Sequence, residues 1–193
     1  MANKPTILAF AGSTRSDSYN KKLARIAAEA ARAAGADVTV VDLRDLPMPI
    51  FDQDLEAAEG LPPNAVKFRE LLLAHQGLLI SSPEYNSSIT AVLKNAIDWA
   101  SRPTPSQPAL VCFNDKVAAL VSASPGNLGG LRGLVHLRSI LGNIGVVVLP
   151  GQFALARAGE AFNPDGSLKN PKDQEAVKGV ASRLVDAVKK LRG

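Results

Sequence analysis

The sequence predicts an α/β fold in which five parallel strands form one doubly wound sheet with helices on both faces. Five short apolar runs alternate with segments whose apolar residues recur at helical spacing. The runs are apolar almost throughout, which is typical of parallel strands covered on both faces. The two most distinctive loops, Gly12–Asn20 and Pro83–Ser88, follow the first and third strands, and the strand order 2-1-3-4-5 brings them to one crevice.

The boundaries follow from apolar runs, proline, glycine and capping residues. The predicted strands are Thr6–Ala11, Asp37–Asp42, Gly77–Ser82, Lys116–Ser122 and Gly145–Leu149. Helices follow the first four strands, and a fifth begins at Pro171 after Asn170 as N-cap. Leu43–Pro63 is predicted to be a long loop and Arg102–Pro108 to lack regular structure. Pro150–Lys169 is predicted to connect the fifth strand to the last helix.

Length and composition indicate one globular domain over residues 1–193. The chain is 46% hydrophobic and has no internal repeat, and its single cysteine excludes an intrachain disulfide framework. It has neither an apolar run of about 18 residues nor the apolar region of a signal peptide. We therefore expect no membrane association and a cytoplasmic location.

The charge pattern argues against a nucleic-acid partner. The net charge is +4, but the basic residues are scattered and aromatic residues make up only 5% of the chain. A mildly positive surface suits anionic small molecules such as nucleotides.

The segment from Thr6 to Ala34 has the layout of a phosphate-binding corner: strand, hydroxyl-rich loop, helix. The first amides of a helix lack partners within the helix and face its positive dipole end. Hydroxyl groups in the loop can donate to a phosphate, and these belong to Ser13, Thr14, Ser16 and Ser18.

Three basic residues sharpen that interpretation. Helix starts favour acidic residues, yet this one carries Lys21 and Lys22, with Arg15 in the loop. A bound anion would explain the arrangement, and Arg15 could add a charge-assisted bond. The alternative is that Ser18 or Asn20 is only an N-cap and the lysines are solvated.

The loops after the third and fourth strands are candidate contacts for a flat heterocycle. Pro83 ends the third strand, after which Glu84, Tyr85 and Asn86 offer amides, a carboxamide and an apolar wall. After the fourth strand, serines and glycines allow close backbone approach, namely Ser122, Ser124, Gly126, Gly129 and Gly130. Either segment could equally be an ordinary connecting turn.

No nucleophile–base pair or metal-ligand cluster stands out. We expect His75 and His136 to be packing or surface residues, and Cys112 has no Cys or His near it in sequence. Trp99 fits the core or a subunit contact better than a ligand stack, and Asp42 fits a strand end better than a ribose ligand. This pattern is typical of a protein whose cofactor carries the chemistry.

Together the three loops resemble the NADPH-dependent FMN reductase family, a flavodoxin-like group that includes bacterial chromate and quinone reductases. The resemblance covers about Thr6 to Leu149 and rests on three motifs in order. They are Gly12-Ser13-Thr14-Arg15 with Ser18 and Asn20; Ser82-Pro83-Glu84-Tyr85-Asn86 with Leu93–Trp99; and Ser122–Gly126 with Gly129-Gly130-Leu131-Arg132.

The resemblance implies a flavodoxin-like fold that binds FMN without a covalent bond. It implies that the first loop holds the phosphate and that the Pro83–Asn86 and Ser124–Gly126 segments contact the ring. The implied cofactor-binding residues are Ser13, Arg15, Ser18, Tyr19, Asn20, Pro83, Glu84, Tyr85, Asn86, Ser124, Pro125 and Gly126. It also implies a homodimer or homotetramer with the flavin site near the subunit interface.

We hypothesise an enzyme in which hydride passes from NAD(P)H through bound FMN to a small oxidant by ping-pong kinetics, with no catalytic side chain. Quinones, chromate, azo compounds, ferric chelates and free flavin are the candidate oxidants. Departures from the family pattern at Ser87, Thr90, Ala91 and Asn127 leave the substrate range open. The alternatives are a flavodoxin-like electron carrier without its own NAD(P)H oxidase activity and a nucleotide-binding domain without flavin.

Overall fold

A computed structural model describes residues 4–192 and confirms the predicted parallel sheet. Its strand order is β2-β1-β3-β4-β5, with every neighbouring pair parallel. Apolar residues fill the three central strands, so both faces of the sheet are available for packing. The strands are β1 Thr6–Ala11, β2 Asp37–Asp42, β3 Gly77–Ser81, β4 Val117–Ala123 and β5 Val147–Leu155.

Seven α-helices and one short 3₁₀ turn lie within residues 4–192, which is more than the five predicted. The 3₁₀ turn covers Leu43–Asp45. The helices are α1 Tyr19–Ala33, α2 Gln53–Glu59, α3 Pro63–Ala74, α4 Ala91–Ala100, α5 Leu131–Asn143, α6 Ala158–Ala161 and α7 Pro171–Arg192.

The prediction of a loop over Leu43–Pro63 was wrong because this segment contains α2. None of the α2 residues is buried, so the helix has no apolar periodicity to reveal it. It begins instead at a polar signal, since the carboxylate of Asp52 accepts from the Asp54 amide at 2.8 Å.

The end predicted for the fifth strand, Leu149, was also wrong. The strand continues through Pro150 and Gly151 to Leu155, and its register against β4 shifts between Ala118 and Leu120. Because β5 is an edge strand, a proline in it need not remove a ladder hydrogen bond. The extension carries β5 alongside the loop that follows β4.

Two apolar layers cover the sheet, and successive β1 residues point into opposite ones. Ile7 and Ala9 pack with α1 and α7, whereas Leu8 and Phe10 pack with α3, α4 and α5. No helix within residues 4–192 is long and apolar enough to cross a membrane.

Candidate functional site

The loops after β1, β3 and β4 surround a cleft of about 110 Å³ at the carboxyl edge of the sheet. Ten of the twelve residues expected to contact the cofactor line it, whereas Asn86 and Gly126 do not. Ala123, which was not among the twelve expected contacts, also contributes. The lining residues are Ser13, Arg15, Ser18, Tyr19, Asn20, Pro83, Glu84, Tyr85, Ala123, Ser124 and Pro125.

The start of α1 forms one wall of this cleft. Ser18 is the N-cap, with extended backbone, but its hydroxyl makes no capping hydrogen bond. The first hydrogen bond of the helix runs from the Lys22 amide to the Ser18 carbonyl at 3.1 Å. The amides of the three helical residues before Lys22 therefore lie outside the helix's own hydrogen-bond pattern. The first turn contains no acidic residue. This helix start therefore offers donors and positive potential with no acidic residue in its first turn.

Arg15 places a guanidinium beside these donors. One of its nitrogens donates to the Asp17 carbonyl at 2.6 Å, and the group lies 5.2 Å from the centre of the Tyr19 ring. The Tyr19 ring in turn stacks on Phe162 with 6.0 Å between centroids. Within residues 4–192, Arg15 forms no ion pair with a carboxylate, so its charge remains available to a ligand.

Lys21 and Lys22 do not support the anion in the way the sequence suggested. The Lys21 ammonium is buried and lies 2.7 Å from an Asp42 carboxylate oxygen, while Lys22 lies 2.6 Å from Asp17. A hydrogen bond from Lys22 holds the pKa of Asp17 below its ordinary value. Each lysine pairs with a carboxylate of the chain, so the two lysines do not by themselves require a bound anion. Lys21 is buried rather than solvated, whereas the Lys22 pair lies at the surface.

Asn20 fixes the position of the helix start. Its carboxamide donates to the Ala123 carbonyl at 2.8 Å and accepts from the Ala123 amide at 3.0 Å. The Ser81 hydroxyl donates to the same carboxamide oxygen at 2.9 Å. The side chain is therefore used in joining α1 to the ends of β3 and β4.

The segment after β3 is a tight two-residue turn. Tyr85 and Ser88 exchange two backbone hydrogen bonds of 2.9 and 3.0 Å, and Asn86 and Ser87 between them have φ of 50° and 67°. Positive φ at both central residues is the signature of a type I′ turn. The turn presents Tyr85 at the mouth of the cleft, 58% exposed.

Glu84 is turned away to the start of α5. Its carboxylate lies 2.5 Å from an Arg132 guanidinium nitrogen and accepts from the Gly133 amide at 3.1 Å. Burial alone would raise the pKa of Glu84, but the hydrogen bonds from Arg132 and Gly133 hold it below its ordinary value. This pairing could not be predicted from sequence because the partners are 48 residues apart.

The loop after β4 depends on two glycines with positive φ. A Cβ on Gly129 would lie 2.7 Å from the Ala154 backbone, and one on Gly130 would lie 2.9 Å from the Ser122 side chain. The Ser122 hydroxyl donates to the Gly129 carbonyl at 2.7 Å. Close packing therefore sets the path of the loop past the extended end of β5.

The other polar candidates take structural positions. The two His75 ring nitrogens lie 2.6 Å from the Leu71 carbonyl and 2.8 Å from the Thr39 hydroxyl, and His136 lies 2.9 Å from the Ser88 hydroxyl. Trp99 is fully buried, and burial raises the pKa of the Cys112 thiol. No group of three or more metal-binding side chains occurs in the described residues.

Thr90 has a structural role that the sequence analysis did not predict. Its hydroxyl caps α4 by accepting from the Leu93 amide at 3.2 Å and donates to the Gly12 carbonyl at 2.7 Å. It therefore joins the start of α4 to the start of the loop after β1. Its place as N-cap of α4 was readable from sequence, but its bond to Gly12, 78 residues away, was not.

The cleft thus combines hydroxyls, a guanidinium and helix-start amides on one side with two backbone turns on the other. Such a set suits a phosphomonoester attached to a flat ring, and it includes no acid–base pair for chemistry of its own.

Comparison with known proteins agrees with this geometry. Residues 5–160 match the model of the NADPH-dependent FMN reductase family. An NAD(P)H-dependent FMN reductase of Pseudomonas aeruginosa is 37% identical over 194 residues, covering all of both chains. An NAD(P)H:quinone oxidoreductase of Solanum tuberosum is 37% identical, covering all of this chain and 98% of its own.

A solved structure gives the same result. FerB of Paracoccus denitrificans, a flavoenzyme NAD(P)H:(acceptor) oxidoreductase, superposes with a TM-score of 0.82 and 28% identity, over 96% of this chain and 98% of its own. The fold, the converging loops and these relatives lead to one conclusion: the chain belongs to the NADPH-dependent FMN reductase family.

Proposed function

We propose that the protein is an FMN-dependent oxidoreductase that takes hydride from NAD(P)H and reduces small oxidants, with quinones as the first class to test. The observation that carries this proposal is the convergence of ten expected contact residues on one cleft. The relatives reported above are reductases, and none is named as an electron carrier.

The donor set of the cleft fits the phosphate of FMN. The Ser18 hydroxyl makes no capping bond, the first turn of α1 has no carboxylate, and Arg15 forms no ion pair within residues 4–192. Ser13 is buried beside them, and its hydroxyl accepts from the Arg15 amide at 3.3 Å while its own proton stays available to an anion. Hydroxyl, guanidinium and helix-start amide donors that line one cleft suit a doubly charged ligand.

The turn at Pro83–Asn86 and the segment Ser124–Gly126 are proposed to bind the ring. Their side chains contribute little polar chemistry, since Glu84 is committed to α5 and the Ser124 hydroxyl accepts from the Gly126 amide at 3.3 Å. Backbone and the Tyr85 ring would therefore orient the ring. When bound, FMN supplies the two-electron redox chemistry between NAD(P)H and the oxidant.

Mass identification of any small molecule released by denaturing the purified protein tests cofactor identity directly. We expect FMN, and a different chromophore or no binding of added FMN would contradict the assignment. Oxidation of NADPH and of NADH by the purified protein alone then separates an enzyme from an electron carrier.

Initial rates at several concentrations of both substrates test the order of the reaction. Donor and oxidant should occupy one face in turn, so double-reciprocal plots should give parallel lines. Converging lines would contradict a ping-pong scheme while leaving FMN binding intact. A panel of quinones, chromate, azo dyes, ferric chelates and free flavin then ranks the oxidants.

We further propose a homodimeric or homotetrameric assembly and a cytoplasmic location. The first follows the family pattern, and the second follows a chain whose single cysteine, Cys112, is buried and free. Light scattering on the purified protein measures the first, and cell fractionation measures the second.

A further inference from the structure

Phe162 is a partly buried aromatic residue in the segment that follows β5, and it lies beyond residues 5–160, the part of the chain that matches the family model. Its ring lies nearly parallel to that of Tyr19, with 4° between the planes and 6.0 Å between the centroids. Tyr19 is the first residue of α1 and lines the cleft, whereas Phe162 does not. The stack therefore connects a residue outside the cleft to one of its walls.

The backbone that carries Phe162 is held on both sides. Before it, Ala158 is fully buried, and its amide donates to the Ser124 carbonyl at 3.0 Å in the loop after β4. After it, Leu168 is buried in the core layer of α1 and α7 and forms an antiparallel bridge with Phe162. The position of the Phe162 ring is therefore set by the fold rather than by a ligand.

The same segment also approaches the other end of the Tyr19 side chain. A Cβ on Gly159 would lie 3.4 Å from the Tyr19 hydroxyl oxygen, so the backbone at Gly159 passes close to that group. Phe162 covers the ring and Gly159 lies near the hydroxyl. Little space remains for Tyr19 to adopt another rotamer.

Tyr19 in turn supports the Arg15 guanidinium. Arg15 is exposed, and a long exposed side chain of this kind samples many rotamers unless contacts restrain it. Here the guanidinium lies 5.2 Å from the centre of the Tyr19 ring, where a cation is attracted to the aromatic face. The second restraint is the 2.6 Å bond from an Arg15 nitrogen to the Asp17 carbonyl.

We infer that Phe162 is a positioning residue for the phosphate site: it holds Tyr19, and the Tyr19 ring holds Arg15 at the cleft. A guanidinium that is already in place loses less conformational entropy when the phosphate binds, so the affinity for the phosphate is higher. The inference rests on the proposed function and adds to it a residue that does not line the cleft.

Phe162→Leu tests the inference because it keeps an apolar side chain but removes the flat ring. We expect the dissociation constant for FMN to rise about three- to fivefold, the effect of weakening a cation–π contact at a partly exposed site. The affinity for riboflavin, which lacks the phosphate, should stay unchanged. Phe162→Tyr keeps the ring and should bind FMN as the parent does. Fluorescence titration of each apoprotein with the two flavins measures these constants.

A double-mutant cycle with Arg15→Ala separates positioning from simple packing. In the Arg15→Ala background, Phe162→Leu should raise the dissociation constant for FMN no further, because the group that it positions is gone. Tyr19→Leu removes the supporting ring directly and gives a second measurement, in which the loss should again be selective for FMN. Additive effects in the cycle would overturn the inference, and so would an equal loss of affinity for riboflavin in Phe162→Leu.

Phe153→Leu is the matched control. Phe153 lies on β5 and is partly buried against the same core layer, but within the described residues its ring does not stack on Tyr19. It should leave FMN affinity unchanged, and a loss equal to that of Phe162→Leu would overturn the inference. Unchanged FMN affinity in Phe162→Leu would overturn the inference alone, whereas a parent apoprotein that binds neither flavin would overturn the proposed function as well.

Discussion

Among the helices that begin at the carboxyl edge of the sheet, α1 and α5 have their first turns supplied with charge in opposite ways. At α5, the Glu84 carboxylate accepts from the Gly133 amide and pairs with Arg132. At α1, the Ser18 hydroxyl makes no capping bond and the first turn contains no acid. The chain provides the anion at one helix start and leaves the other to a ligand. A carboxylate near a helix start is therefore not by itself a sign of a binding site, and its absence is more informative.

Placing a carboxylate at the start of α1 should make it resemble the start of α5. Ser18→Asp would give α1 an internal anion, so we expect FMN binding to weaken by about 3 kcal/mol or more through like-charge repulsion. The same change should stabilise the free protein by about 0.5–1 kcal/mol through the helix dipole. Fluorescence titration with FMN and urea denaturation measure the two effects.

Ser18→Asn is the control for this variant, because it keeps a neutral capping residue of similar size. It should bind FMN far more tightly than Ser18→Asp. Equal affinity of the two variants would show that the phosphate does not sit at this helix start.

Removing the guanidinium beside the start of α1 should produce the next largest effect on FMN affinity. Arg15→Ala is expected to weaken FMN binding by about 1.5–3 kcal/mol, the contribution of a hydrogen bond to a charged group. Titration of the apoprotein with FMN measures it, and titration with riboflavin, which lacks the phosphate, provides the control. A similar loss for riboflavin would assign Arg15 to the ring rather than to the phosphate.

Replacing the carboxylate at the start of α5 by a neutral group should lower the stability of the fold rather than weaken phosphate binding. Glu84→Gln keeps the shape but weakens the bonds to Arg132 and Gly133, so the free energy of unfolding should fall by about 1 kcal/mol. Urea denaturation at neutral pH measures the loss. If Glu84→Gln lost as much FMN affinity as Arg15→Ala, the proposal that phosphate binds at the start of α1 and not at the start of α5 would be contradicted.

The pH dependence checks the same residue. The pKa of Glu84 in the folded chain lies below its ordinary value of 4.5. The ionised carboxylate therefore stabilises the fold fully above that value, and this contribution is lost as pH falls through the lowered pKa. The difference in stability between the parent and Glu84→Gln should shrink as the pH falls below 4.5. A constant difference would contradict this assignment.

The smallest effect is expected for Lys22→Ala. Its ammonium is held by Asp17 at the surface, so FMN affinity should change by about 0.5 kcal/mol or less. A loss of FMN affinity as large as that of Arg15→Ala would support the hypothesis from the sequence that Lys22 helps to bind an anion at this helix start. Isothermal titration calorimetry of both variants in one buffer makes the comparison.

The sequence predicted the sheet order and the loops that form the cleft because both depend on buried strands with clear apolar runs. It could not predict that Lys21 meets Asp42 or that Glu84 meets Arg132, since such pairs form only after distant segments pack together. It missed α2 because none of its residues is buried. It ended β5 early because proline and glycine at an edge resemble a strand end.

The Asn20 carboxamide, with its three hydrogen bonds to Ala123 and Ser81, has a consequence for how the cofactor is acquired. These bonds hold the first turn of α1 against two strands by contacts that no ligand supplies. The apoprotein therefore does not have to order this turn when FMN arrives, and that entropy cost is absent from the affinity. Removal and rebinding of FMN should accordingly be reversible. Amide hydrogen exchange at α1 should be slow in both the apoprotein and the FMN-bound protein.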